Sequence, residues 1–259
     1  MYWIQDYCSD IVLPVKGYGQ YCPVAKATEI LNERWTLLVL RELLFGSRRF
    51  NDLRKGVPLM SPTLLSKRLK FLEESGVIER CRAQPGKGWE YQPTTAGQEL
   101  RPLIETLGVW GQRWVRSRLT PDELDPGLLM WDIRRCTDAE LFPSKRTVVL
   151  FEFSNVAPPK RRWWLVVSEK DGVDLCLTDP GFEVDLYIVT DLCTMTALWM
   201  GNMPLRYAFD SGRIELEGSS ELRRSLRSWL QRSPFGNIPN QNPERKISLD
   251  IKPGRQPRL

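Results

Sequence analysis

At 259 residues the chain has room for one large domain or two small ones, and its 42% hydrophobic and 27% charged residues describe an ordinary globular protein. It has no apolar run of about 18 residues and no basic-then-apolar leader, so neither a membrane span nor a secretory signal is expected and a cytoplasmic location follows. The lack of histidine and the scatter of six cysteines, with no C-x-x-C pair, argue against a structural zinc, a metal cofactor and His-based catalysis, and no glycine-rich phosphate motif replaces them.

Charge is uneven along the chain. Residues 1–118 carry +6, residues 119–230 carry −5 and residues 231–259 carry +4, which together give the net +5. A basic first part fits a polyanionic partner, although small domains also differ by a few charges by chance.

Taken in order, Val24, Ala27, Ile30 and Leu31 form one helical stripe. Trp35–Phe45 is apolar nearly all round, as a central buried helix would be, and Gly46 ends it. Phe50–Lys55 is a short helix closed by Gly56 and Pro58. The next segment is the most informative. Ser61 is an N-cap, Pro62 suits the first helical position, Leu65, Leu69 and Leu72 form a buried stripe, and Gly76 stops the helix. Thr63, Ser66, Lys67 and Lys70 lie on its outer side. Val77–Arg82 and Trp89–Gln92 read as two strands about a tight Gln84–Gly88 turn, a hairpin placed as a wing with Lys87 at its tip.

A helix follows from Thr94 to about Arg118, with Leu100, Leu103, Ile104, Leu107, Trp110 and Trp114 on one stripe. A partner subunit would bury this stripe most simply, and the chain's own second domain is the alternative. Thr120–Gly127, with two prolines and three acids, reads as a linker. Beyond it, β-rich runs at 147–153, 163–168, 173–177, 184–190 and 213–217 alternate with helical candidates at 192–199, 204–209 and 219–230. The polar, Pro-rich end is expected to be disordered. The fold class is therefore α+β: an N-terminal winged helix-turn-helix with a dimerisation helix (1–118), a linker (119–127), a smaller α+β sheet domain (128–232) and a tail (233–259).

Several signals occur in one order: Cys22-Pro-Val24, Trp35-Thr-Leu-Leu-Val-Leu-Arg-Glu-Leu43, Arg49-Phe-Asn-Asp-Leu53, Ser61, Leu64 to Leu72, Glu73-Glu-Ser-Gly76, Tyr91, Thr94, Ala96-Gly97, and Pro102 to Trp110-Gly111. By these, residues 20–115 resemble the HxlR-type winged-helix transcription regulators, relatives of the MarR type. Gln92-Pro93 and Asn32-Glu-Arg34 depart from the usual pattern without touching the reading face. The resemblance implies a dimer on a palindromic double-stranded operator. Thr63, Ser66, Lys67, Arg68 and Lys70, with Ser61 at the cap, would face DNA. Arg48, Arg49 and Asn51 would grip phosphate from the preceding helix, and Arg82 and Lys87 would act from the wing. Arg68 would read guanine if it swung into the groove. Leu100, Leu103, Leu107, Trp110 and Trp114 would dimerise.

Cys22 stands where some relatives carry a redox-sensing cysteine. A helix N-terminus and Lys26 would lower its pKa, and the alternative is a half-buried structural cysteine with no evident resolving partner; Cys8 is nearest in sequence. The second part resembles a sterol-carrier-protein-like domain in Phe182–Asp191, Leu198–Met203 and Arg213–Ser219, which implies an apolar cavity and a lipophilic effector. Trp163, Trp164 and Trp199 are expected in the core in preference to lining that cavity. The expected function is a non-enzymatic, homodimeric, sequence-specific repressor answering a small-molecule or redox signal. The alternative is a lipophilic-ligand-binding protein that uses its winged helix only to dimerise.

Overall fold

The computed structural model describes residues 17–83, 88–115, 119–143 and 145–241. They divide into two compact units. The first runs to Leu53 and resumes over Met60–Arg101, and the second takes Arg54–Leu59 and the described chain from Pro102.

In the first unit α1 (Pro23–Leu31) opens on Pro23 directly after Cys22, the position where a missing N–H costs nothing. Helix α2 (Thr36–Leu44) buries Val39, Leu40, Leu43 and Leu44. It also buries Glu42 completely, a charge that must find partners. Arg41 donates to Oε1 from Nε and Nη2 at 3.1 and 2.9 Å, and the Ser47 hydroxyl donates to Oε2 at 3.1 Å. The turn after α2 is thereby tied back to it, and α3 (Phe50–Gly56) follows.

Helix α4 (Pro62–Glu74) begins as its sequence requires: the Ser61 hydroxyl accepts the Leu64 N–H at 3.3 Å, and Leu65, Leu69 and Leu72 are buried. It ends at Gly76, whose φ of +71° favours glycine. Strands β1 (Ile78–Arg82) and β2 (Trp89–Pro93) pair antiparallel, from Ile78 opposite Pro93 to Arg82 opposite Trp89. Thr94 closes the hairpin base. Its hydroxyl donates to the Gly76 carbonyl at 2.7 Å and accepts from Gly97 N–H at 3.3 Å, capping the short α5 (Thr95–Gln98). Gly97 is needed here because a Cβ would overlap the Val77 carbonyl.

The second unit starts with α6 (Arg101–Trp110), which continues as a π-turn over Gly111–Val115. Its five-stranded sheet has the order β5-β4-β3-β6-β7, with β3 (Thr147–Phe153), β4 (Arg162–Ser168), β5 (Gly172–Cys176), β6 (Leu186–Thr190) and β7 (Ile214–Gly218). Only the β3–β6 pair is parallel. Because side chains alternate along a strand, one face gathers Val149, Phe151 and Phe153 with Trp163, Leu165, Leu186 and Ile188. This face packs with α7 (Pro126–Cys136) and α8 (Leu192–Trp199). Trp229 of α11 (Leu226–Trp229) completes that core, its ring 5.1 Å from Phe142. Val148, Leu150 and Trp164 make a smaller cluster on the other face. No described helix is long and apolar enough to cross a membrane.

The α+β class and the winged order are as expected. By its contacts the helix from Arg101 groups with the second unit. The expected linker at 119–127 is largely structured. Thr120 and Glu123 cap a 3-10 turn at Pro121–Glu123, and Asp125 caps α7 by accepting the Leu128 N–H at 2.8 Å. Asp-Pro, which reads as a linker, is here an N-cap followed by a first-turn proline. The expected tail is described through residue 241, with Ser233 and Gly236 buried. The helix expected over 219–230 breaks at Ser225 into α10 (Ser220–Arg224) and α11. The Ser225 hydroxyl donates to the Glu221 carbonyl at 3.0 Å, a side-chain bond that competes with the helical ladder.

Phe151 lies fully buried on the central strand between Trp163 and Ile188. Phe151→Ala should destabilise the second unit by about 3–5 kcal/mol, measured by urea unfolding. A loss below about 1 kcal/mol would show that this core repacks freely.

Candidate nucleic-acid interface

The burial of Leu65, Leu69 and Leu72 fixes which side of α4 faces out. Thr63, Ser66, Lys67 and Lys70 are all exposed, with Ser61 exposed at the cap. Lys70 is shared with Glu74 at 3.6 Å, one helical turn on, so Lys67 is the less compensated of the two ammonium groups. Arg68 does not join this face. Its Nε donates to the Arg34 carbonyl at 3.2 Å and its guanidinium is paired with Glu33, leaving the side chain 16% exposed. The expectation that Arg68 reads a base meets this retention, which the three-residue turn before Trp35 supplies. That turn holds Trp35 at φ +79°, an uncommon setting for an aromatic residue, with the Arg34 guanidinium 5.3 Å over its ring.

The residues ahead of α4 separate in the same way. Asn51 is exposed, and Arg49 is more than half exposed while pairing with Glu90 of β2 at 3.2 Å. Arg48 turns inward, donating from Nη1 to the Leu43 carbonyl at 3.3 Å, and its own carbonyl accepts the Tyr91 N–H at 2.9 Å. Arg48 and Arg49 thus brace the hairpin against the start of α3.

On the hairpin, Arg82 is exposed with its guanidinium 4.3 Å from the Trp89 ring centroid, and Arg80 lies at 4.2 Å from the same ring. Two cations on one half-exposed indole form a basic plate. Sequence reasoning missed Arg80 and Trp89. The period of two along a strand would have found Arg80 from Arg82. Lys87 lies outside the described residues.

Cys22 sits at the N-cap of α1. The Ala25 and Val24 backbone amides hold its thiol pKa below the ordinary value. Lys26, expected to assist, is instead held by Glu29 at 3.1 Å. Burial pushes the thiols of Cys136, Cys176 and Cys193 the other way. Cys8 lies outside the described residues.

The stripe expected on α6 resolves into two faces. Ile104 and Gln112 are buried, and the Phe235 ring packs on Gly108 so closely that a Cβ there would overlap it. The Gln112 amide donates to the Met200 carbonyl at 3.3 Å. The other face exposes Leu103 by 41%, Leu107 by 43%, Trp110 by 56% and Trp114 by 43%, with Leu100 partly covered. Elsewhere in the second unit a cavity of about 650 Å³ opens beside Met195, Trp199 and Met203. Trp163 and Trp164 are buried in the two sheet clusters, whereas Trp199 serves both the core and the cavity wall. Among the described residues no group of His, Cys, Asp and Glu side chains could hold a metal ion.

Residues 30–118 match the HxlR-like helix-turn-helix family. An uncharacterized HTH-type transcriptional regulator of Mycobacterium tuberculosis, Rv3095, is 41% identical over 93 residues, 36% of this chain and 58% of its own length. The chain therefore spans little more than half of that relative. YvaP of Bacillus subtilis, another uncharacterized HTH-type transcriptional regulator, is 36% identical over 99 residues, 38% of this chain and 92% of its own length. Among solved structures, the reduced form of the transcriptional regulator YodB from B. subtilis shares 29% identity over 36% of this chain and 93% of that one, with a TM-score of 0.32. With a relative more than 30% identical and almost wholly covered, the chain belongs to the HxlR-like helix-turn-helix family.

Proposed function

We propose that the protein is a homodimeric, sequence-specific DNA-binding transcription regulator that acts as a repressor. The observation that carries this reading is the face of α4: three buried leucines on one side and exposed Thr63, Ser66, Lys67 and Lys70 on the other. Hydroxyls and ammonium groups suit phosphate, the Thr63 methyl suits a thymine methyl, and no amide on this face offers bidentate adenine reading, so this helix positions as much as it reads. Asn51 and Arg49 at α3 and the Arg80–Trp89–Arg82 plate of the hairpin supply further donors, and family membership supports the assignment.

Dimerisation is supported by the outer face of α6. Four large apolar side chains exposed on one helix face make the kind of patch that a second copy of the same helix buries. The helix N-terminus at Cys22 supports a redox input, since a thiolate stabilised by backbone amides reacts faster with electrophiles and oxidants. The sheet domain, with helices against one face and a cavity beside Trp199, suits a sterol-carrier-like fold and favours a second reading, in which the chain is a lipophilic-ligand-binding protein that uses its winged helix only to dimerise.

Lys67→Glu is expected to lower operator affinity by about tenfold to a hundredfold and to flatten its dependence on salt, read by fluorescence anisotropy on an operator recovered by genome-wide mapping. Unchanged binding by this variant would displace the DNA-reading face from α4, and no DNA binding by the parent chain would favour the second reading. Trp110→Glu should convert the dimer to monomer at micromolar concentration in sedimentation, and a variant that remains dimeric would displace the interface from α6. In an alkylation series followed by peptide mass spectrometry, Cys22 should react from a lower pH than an ordinary thiol, because its folded pKa is depressed. Cys136, Cys176 and Cys193 should need a higher pH. A Cys22 profile matching theirs would remove the redox input.

A further inference from the structure

We propose that the cavity of the second unit binds an organic carboxylate with an apolar body, and that the chain segment 231–237 along its wall transmits occupancy to α6. The transmission half rests on the regulator reading above; the binding half does not.

The walls sort by chemistry. Leu198, Trp199, Leu205 and Leu230 give the lining an apolar part, backed by the buried Met195 and Met203, and Arg206, Arg227 and Arg232 stand in the same lining, where no carboxylate is present. About 650 Å³ suits a ligand of drug-like size. Three arginines beside a partly apolar wall select a molecule with one anionic end, and the planar fork of arginine matches a carboxylate in a bidentate manner. The three differ in how far they are already engaged. Arg206 is shared with Asp210 at 3.6 Å and Arg232 donates to the Asn237 side chain at 3.2 Å. Arg227 has neither an ion-pair nor a hydrogen-bond partner among the described residues, so it is the first candidate to meet the ligand's charge.

The wall formed by 231–237 is fastened on both sides. The Ser233 N–H donates to the Trp199 carbonyl at 2.8 Å. Gly201, at φ +72°, lets Gly236 approach so closely that a Cβ on Gly201 would overlap the Gly236 carbonyl. Ser233 and Pro234 line the cavity, and Phe235, the next residue, puts its ring on Gly108 of α6. Farther on, the Gln241 N–H reaches the Arg113 carbonyl at 3.0 Å. A ligand that displaces Pro234 or draws Arg232 inward therefore moves the residue adjoining Phe235, and with it the packing of the helix whose other face is the proposed dimer surface. Close-packed contacts of this kind transmit small shifts because they have no slack to absorb them.

The experiment is isothermal titration calorimetry of the full chain with 2-naphthoate and dodecanoate, an aromatic and an aliphatic source of the same chemistry, and with dodecanol as the neutral control. At least one carboxylate should bind with micromolar affinity, at least about tenfold tighter than dodecanol. Arg227→Glu, an exposed position whose melting temperature should not change, should weaken that binding by at least about tenfold. Absence of binding by both carboxylates, equal binding of dodecanol, or full binding by Arg227→Glu overturns the site. For transmission, the bound carboxylate should weaken operator affinity several-fold in the parent chain and have no effect in Phe235→Ala. Pro234→Gly, which loosens the same segment without removing a packed ring, is the second variant should the first melt early. An operator affinity indifferent to saturating ligand overturns transmission. Failure of the parent chain to bind any operator overturns the regulator reading instead and leaves the calorimetry standing.

Discussion

Helix α6 is apolar on two faces, and the described chain covers only one of them. Gly108 and Gln112 are committed inward, one by having no side chain where Phe235 must lie, the other by reaching the Met200 carbonyl. That commitment rotates Leu103, Leu107, Trp110 and Trp114 outward together, since residues three, four and seven apart share a helix face. Exposed apolar surface forgoes about 25 cal/mol per Å², so a row of four such side chains is a strong incentive to associate. The same glycine admits the Phe235 ring of the segment that forms one wall of the cavity.

The first unit depends on polar groups that are satisfied locally. Glu42 is fully buried in α2, which is tolerable only because Arg41 and Ser47 saturate its carboxylate. The same bookkeeping explains why the basic residues about α4 are not equivalent. Arg68 and Arg48 are spent on backbone carbonyls, while Thr63, Ser66 and Lys67 stay outward. The exposed face is consequently less basic than the sequence suggests, and the hairpin, with Arg80 and Arg82 against Trp89, adds charge beside it.

In the second unit the sheet buries its main face under short helices and not under one long one. Helix α8 stops at Trp199, the turn through Gly201 leads to α9 (Leu205–Asp210), and the C-terminal helix is interrupted at Ser225. Each interruption redirects the chain, and the cavity with its arginine-bearing rim lies among these short helices.

The sequence by itself determined the elements whose rules are local. Ser61-Pro62 starts α4, Gly76 stops it, leucine spacing selects its inner face, and the strand runs of the second part fall within a residue or two of those read from alternation. Helix α7 escaped because Asp125-Pro126 signals a linker and a helix cap in the same two letters. Which stripe of α6 is inner and which outer, whether an arginine faces solvent or a carbonyl, where the first unit ends and how far the C-terminal segment is held were decided only by the tertiary structure. Those outcomes turn on partners distant in sequence: Phe235 on Gly108, Glu33 on Arg68, Met200 on Gln112. Periodicity states that a face is apolar, and only the packed chain states what, if anything, covers it.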